Sequence, residues 1–195
     1  MRLFRLRNTP IITGEMNANT MSRMLFFILI AAVNLCSAQK NSSILMSDFI
    51  HRDFILQYPE TWKADTSKQW GAEVMIFSPI ENETDKFSEN VNVLIQDLGD
   101  QPVSLEYYKE VTEQQISLIA TDANIIESTI KKSANGEFYR FTYTMSQGVF
   151  KLKITSECYI HNGNAYLLTF TAEIDKFDDY RVIGEKMLDS FELIK

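Results

Sequence analysis

Residues 137–146 read Glu-Phe-Tyr-Arg-Phe-Thr-Tyr-Thr-Met-Ser. Residues 149–161 read Val-Phe-Lys-Leu-Lys-Ile-Thr-Ser-Glu-Cys-Tyr-Ile-His, and residues 165–174 Ala-Tyr-Leu-Leu-Thr-Phe-Thr-Ala-Glu-Ile. β-Branched and aromatic side chains recur through all three with the two-residue period of a strand. Short turn words separate them: Asn135-Gly136, Gln147-Gly148 and Asn162-Gly163-Asn164. Asn and Gly tolerate the positive φ that tight hairpins demand. The stretch predicts an antiparallel meander, opened by a further strand over 125–132. Tyr139, Phe141, Tyr143 and Met145 share one face, as do Tyr166, Leu168, Phe170, Ala172 and Ile174 of the last strand.

Upstream, three more strands are expected. Residues 90–98 alternate through Val91, Val93 and Ile95, residues 73–78 are closed by Pro79, and residues 53–58 carry Phe54, Leu56 and Tyr58 on one face before Pro59. Two helices complete the pattern. Ser104 is the N-cap of the first, in which Leu105, Tyr108, Ile116 and Ile119 recur at the helical period up to Ala120. The second spans about 178–194, with Phe177, Tyr180, Ile183, Met187, Leu188 and Phe191 as its apolar stripe and Asp178 as its cap. The expected fold class is α+β, an antiparallel sheet of about seven strands packed on one side by two main helices.

Composition narrows the class. Of 195 residues, 45% are hydrophobic and only 7 are Gly and 4 Pro, which excludes collagen-like and Pro/Gly-rich disordered chains. Two Cys cannot make a disulfide framework. Arg2, Arg5, Arg7 and Arg23 against Glu15 give the first 38 residues a charge of +3, so the other 157 carry −10 of a total of −7. An acidic body of that kind argues against nucleic acid as a partner.

Residues 24–33, Met-Leu-Phe-Phe-Ile-Leu-Ile-Ala-Ala-Val, follow Arg23. Ten apolar residues are half of the roughly twenty that a spanning helix needs. Small residues at Cys36 and Ala38 fit a signal peptidase, so cleavage is expected between Ala38 and Gln39. Met21 opens a more ordinary signal than Met1, making it the expected start. Residues 1–38 are thus a leader, 39–47 a polar tether and 48–195 the domain. The expected destination is outside the cytoplasm, periplasmic or secreted, with a lipid anchor through Cys36 as the alternative.

The sequence carries little recognisable chemistry. His51 and His161 are the two histidines, and H-x-x-x-H, C-x-x-C and G-x-S-x-G are all missing. His51-Arg52-Asp53 spells kinase letters without the kinase context. Cys158 falls on the inner face of its strand and reads as a small buried hydrophobe. Glu81, Glu83 and Asp85 alternate in a polar loop and could offer oxygens to a Ca²⁺-type ion, without the spacing of an EF-hand. No catalytic, cofactor-binding or metal residue is therefore assigned, and no cofactor is expected. Trp62 and Tyr108 read as core. Trp70, in a Lys68-Gln69-Trp70-Gly71 loop, is the candidate contact for a partner.

The element order carries a resemblance. A strand ending Tyr58-Pro59-Glu60-Thr61-Trp62 precedes one ending Phe77-Ser78-Pro79, then the strand around Asn90-Val91-Asn92-Val93, and the chain closes on a helix ending Asp189-Ser190-Phe191-Glu192. This resembles the PsbP-like α/β/α sandwich superfamily, which includes an extrinsic photosystem II subunit, the bacterial envelope protein DcrB and a Ran-binding nuclear protein. The resemblance implies that fold over residues 48–195, with exported bacterial members fitting the leader best. It transfers no functional residue.

Three functions follow as expectations. The first is a non-catalytic exported envelope protein, a protein-binding or assembly-stabilising module with an envelope protein as partner. The second is a small-molecule or lipid binder, which requires an apolar cavity between sheet and helix on the order of 300 Å³. The third is a hydrolase built on Cys158 or His161, which requires a nucleophile and base within hydrogen-bond reach.

Overall fold

The three turn words become three hairpins, with different internal chemistry. The computed structural model of the chain describes residues 44–99 and 102–194, Gln69 through its backbone only. The expected leader, its cleavage point at Ala38 and Gln39, and Cys36 lie outside the described residues. The strands are β1 (Met46–Ile50), β2 (Phe54–Pro59), β3 (Lys63–Asp65), β4 (Val74–Phe77), β5 (Asn90–Asp97), β6 (Thr121–Ser133), β7 (Gly136–Gln147), β8 (Phe150–His161), β9 (Asn164–Glu173) and β10 (Glu192–Leu193). The helices are α1 (Leu105–Ile119) and α2 (Phe177–Asp189).

Between β8 and β9, Asn162 (φ 48°) and Gly163 (φ 76°) are both left-handed, as a two-residue hairpin with matching twist requires. The β6–β7 turn is centred on Ala134 and Asn135, and there only Gly136 has positive φ. Asn135 serves another purpose. Its Nδ2 donates to the Phe191 carbonyl at 2.6 Å and its Oδ1 accepts the Leu193 N–H at 3.3 Å. The side chain thereby holds the C-terminal segment as a strand would.

Seven antiparallel strands form the main sheet in the order β3-β4-β5-β9-β8-β7-β6. The seven are not those expected. β2 leaves the main sheet and pairs with β1 and β10 in a separate three-stranded sheet, and β3 takes its place. The tether expected over 39–47 also ends early, because Met46 and Ser47 already pair with Pro59 and Tyr58. α2 stops at Asp189 rather than near Ile194. The Ser190 hydroxyl donates to the Met187 carbonyl at 2.7 Å and accepts the Gln57 N–H at 2.9 Å, and β10 then pairs with β2. Asp178 is not the cap of α2. Lys176 takes that position, while Asp178 and Asp179 sit in the first turn, where carboxylates suit the helix dipole.

Both faces of the main sheet are covered, which corrects the one-sided reading. Leu168, Phe170 and Ala172 of β9 point into the cluster that holds Phe177, Met187 and Leu188 of α2 together with Phe54 and Leu56 of β2. Their neighbours Ala165 and Leu167, of opposite parity, join Tyr139, Phe141, Cys158 and Ile116 of α1. Phe191 sits among Phe54, Tyr159 and Tyr166 at ring separations of 5.4, 5.3 and 6.2 Å. At Gly184 a Cβ would fall 2.7 Å from the Phe170 ring, so glycine is what lets α2 approach the sheet this closely.

Arg140 centres a polar network on the α2 face. Arg140 Nη1 donates to Glu157 Oε1 at 2.6 Å and Nη2 to Glu185 at 3.2 Å, with Glu127 at 3.7 Å from Nε. The Tyr159 hydroxyl donates to the other Glu157 oxygen at 3.1 Å. Burial pushes the Glu157 carboxyl above its ordinary pKa, and the Arg140 charge opposes that shift.

Candidate partner-binding surface

Trp70 lies in a single 3₁₀ turn, Gln69–Gly71, joining β3 to β4. Lys68 (φ 59°) and Trp70 (φ 62°) are both left-handed, followed by Gly71 (φ 79°). Left-handed backbone is uncommon for a bulky residue and persists when the surroundings fix it. Here Gly71 N–H donates to the Lys68 carbonyl at 3.1 Å, and Glu73 N–H donates to the Val93 carbonyl at 2.8 Å. The Lys68 ammonium sits 2.7 Å from the Glu73 carboxylate. The turn therefore holds the indole outward, 72% exposed.

A chain of polar contacts leads away from this turn. Glu73 Oε2 is 3.4 Å from Nε2 of His51, whose Nδ1 accepts the Asp53 N–H at 3.3 Å. Arg52 Nε donates to Asp53 Oδ2 at 3.0 Å. The histidine ring also packs on Phe54 at 4.8 Å. The β1–β2 loop of the small sheet is thus tied to the first residues before β4. The His51-Arg52-Asp53 word, empty as a kinase signature, is a structural support beside the Trp70 turn. Nothing local in the sequence could have shown this, because the link joins residues more than twenty positions apart.

The other candidates separate cleanly. Cys158 is fully buried on the α1 face, and burial pushes its thiol up to about 12 despite a hydrogen bond from Tyr108. His161, three residues on, has opposite strand parity, so the two do not meet as nucleophile and base. Trp62 is buried and packs on Tyr180 at 6.1 Å. Between α1 and β5 lies a cavity of about 160 Å³ lined by Gln96, Leu98, Val103, Tyr108 and Val111, about half the volume set for a lipid or small-molecule site.

Glu81 and Asp85 are brought together, around an ammonium rather than an ion-sized gap. Lys176 Nζ lies 3.3 Å from Glu81 Oε2 and 3.1 Å from Asp85 Oδ2. The Tyr180 hydroxyl donates to Glu81 Oε1 at 2.7 Å, and the Glu81 N–H donates to Asp85 at 3.0 Å. These bonds hold both carboxyls below their ordinary range, through Tyr180 and then Lys176 for Glu81 and chiefly the backbone N–H for Asp85. Glu83 contributes only its carbonyl, to Lys86 Nζ at 2.6 Å. The loop is an Ω-like excursion closed where Ser78 N–H donates to the Glu89 carbonyl at 2.8 Å. Glu89 is fully buried at its neck, and burial raises its pKa.

The PsbP family model matches residues 49–193. The chain belongs to the PsbP family. Solved structures show how far the fold extends. Cyanobacterial PsbP (CyanoP) from Synechocystis sp. PCC 6803 superposes with a TM-score of 0.58 at 15% identity, covering 83% of this chain and 99% of its own. LpqN of Mycobacterium tuberculosis, involved in cell envelope biogenesis, gives 0.53 at 9% identity, over 80% of this chain and 94% of its own. PA94 from Pseudomonas aeruginosa, of unknown function, gives 0.54 at 9% identity, over 74% and 94%. No curated protein matches the chain significantly. At such identities these structures share the PsbP fold with the chain and nothing finer. Among the described residues no helix is long and apolar enough to cross a membrane.

Proposed function

We propose that this PsbP-family protein is a non-catalytic module of the cell envelope that binds a partner protein through the surface around Trp70. The observation that carries the reading is an indole 72% exposed on a backbone held left-handed by its neighbours. A solvent-facing Trp has no core role to justify that strain, whereas buried Trp is among the strongest interface anchors. The expected leader, which would carry the chain out of the cytoplasm, supports the reading, and LpqN, involved in cell envelope biogenesis, has the same fold. The cavity between α1 and β5, about 160 Å³, is smaller than the lipid-binding alternative requires, and the separation of Cys158 from His161 favours the reading over hydrolysis.

The test places a photo-crosslinking amino acid at Trp70 and, separately, at Val182, an exposed position on α2. The exported chain is then irradiated in intact envelope. A discrete adduct from position 70 and none from 182 is expected. Identical adducts from both positions, or none, would reject the surface. Trp70→Gly suits the left-handed φ and should leave the unfolding temperature no lower while abolishing co-purification of the crosslinked partner.

A further inference from the structure

Strand β6 is the outermost strand of the main sheet, at the edge opposite β3 and β4, and therefore away from the Trp70 turn. It runs thirteen residues and, among the described residues, pairs only with β7, so its other side presents backbone groups unpaired by any described strand. Such edges are commonly short, bulged throughout or covered. In β6 the irregularities fall between Thr121 and Glu127, and from Glu127 to Ser133 the ladder with β7 is regular. Seven straight residues of this edge stand open.

The side chains of that open segment are complementary to themselves. Glu127, Thr129 and Lys131 share the face on which Glu127 approaches Arg140. Ser128 and Ile130 share the other, where the Ser128 hydroxyl contacts Glu113 and Tyr139 and Ile130 joins the α1-side cluster. An antiparallel pair related by a two-fold axis perpendicular to the sheet keeps each face continuous, so facing residues must have equal parity. With the axis at Thr129, Glu127 faces Lys131 of the second copy, Thr129 faces Thr129, and Ser128 faces Ile130. Opposite charges and Thr–Thr pairs are favourable directly across an antiparallel ladder. Moving the axis to Glu127 or Lys131 sets like charges against each other, which is unfavourable. Lys131 reaches Glu127 within the chain at 2.6 Å, so an ammonium already satisfies this carboxylate and the second copy substitutes an equivalent one.

We infer that β6 is a self-association edge, pairing antiparallel with β6 of a second copy about Thr129 to join two main sheets into one. Because β6 and the Trp70 turn lie at opposite edges, the dimer presents two Trp70 surfaces, and the inference stands whether or not Trp70 binds a partner. The occupant is a second copy because the charge order Glu-Thr-Lys on one face is its own antiparallel complement.

In the full chain carrying Cys36→Ser, buried Cys158 is the remaining native thiol, so new ones are isolated. Thr129→Cys should form a disulfide-linked dimer under mild oxidation, since residues facing across the axis approach within disulfide range. Val182→Cys, exposed on α2, should remain monomeric. Sedimentation equilibrium of the unmodified chain should show a mass rising to two chains with concentration, and Lys131→Glu should weaken that association by about tenfold or more by facing two glutamates at two symmetric points. A monomer at every concentration overturns the inference. So does a dimer that fails to link at Thr129 or is indifferent to Lys131→Glu, which places the interface elsewhere.

Discussion

The two helices cover the same sheet on unequal terms. α2 buries Phe177, Gly184, Met187 and Leu188, and the network of Arg140, Glu157 and Tyr159 lies beneath it. α1 is two residues longer, yet buries Ile116 alone, and leaves Leu118 and Ile119 more than 80% exposed. Helix stability in proteins comes mostly from the packed face rather than from propensity. The α2 layer should therefore unfold only with the whole domain, while α1 should open on its own. That difference also sorts the consequences of substitution.

The largest expected effect is Arg140→Ala. It strands the Glu157 carboxylate, 1% exposed, without its counter-charge. Breaking one partner of a buried pair costs about 3–5 kcal/mol. On the other layer Lys109→Ala removes the helix-surface pair Lys109–Glu113 and should cost about 0.5 kcal/mol or less. Urea unfolding of both variants measures the contrast. Equal losses would mean that the two layers contribute alike.

Truncating the hydrophobic contacts should give a smaller but parallel contrast. Leu188→Ala, at a fully buried site, should lose about 3–4 kcal/mol, and Ile116→Ala, at the thinly covered face, about 2 kcal/mol. Hydrogen exchange sharpens the comparison. Amides of α1 should exchange through local opening in the parent chain, and those around Met187 and Leu188 only through global unfolding. Matching protection in the two helices would remove the distinction.

How much of this was legible depends on the range of the forces. The meander from β6 to β9, the Ser104 cap and the α2 stripe are local patterns. Ser104 Oγ does accept the Tyr107 N–H, at 3.2 Å. Alternation correctly turns Phe54 and Leu56 inward, but it cannot say which sheet a strand joins, and β2 belongs to the small sheet rather than the main one. β3 is three residues long and carries too little periodicity to register. The stop of α2 was hidden because Asn135 and Gln57, which capture the C-terminal segment, are remote in sequence. The Trp70 loop was visible as a word, but its left-handed backbone and its support from Glu73 and His51 were not. The acidic triplet was visible too, and the one residue that decides its chemistry, Lys176, lies ninety positions away.

The smallest expected effect, and the one that discriminates best, is on pH. Glu113 links α1 to the sheet through the Ser128 hydroxyl, and Lys109 and Ser128 hold its carboxyl below the ordinary value of 4.5. A depressed carboxyl adds stability that is present above the unfolded pKa and is lost as pH falls through the folded one. Glu157, under α2, is raised by burial, so its contribution has the opposite sign: full in acid, and lost as pH rises above 4.5. Glu81 and Asp85, depressed by Tyr180, Lys176 and a backbone N–H, behave like Glu113 but act on the loop at the start of α2 rather than on its buried turns. Lowering the pH from neutral to below 4.5 should therefore reduce the protection of the Ile116 amide relative to that of Met187, after correction for intrinsic exchange. Glu113→Gln should flatten that ratio across the range, because the amide cannot titrate. If the ratio in the parent chain stays constant across that range, Glu113 does not set the opening of α1, and the inequality of the two layers is one of packing alone and not of electrostatics.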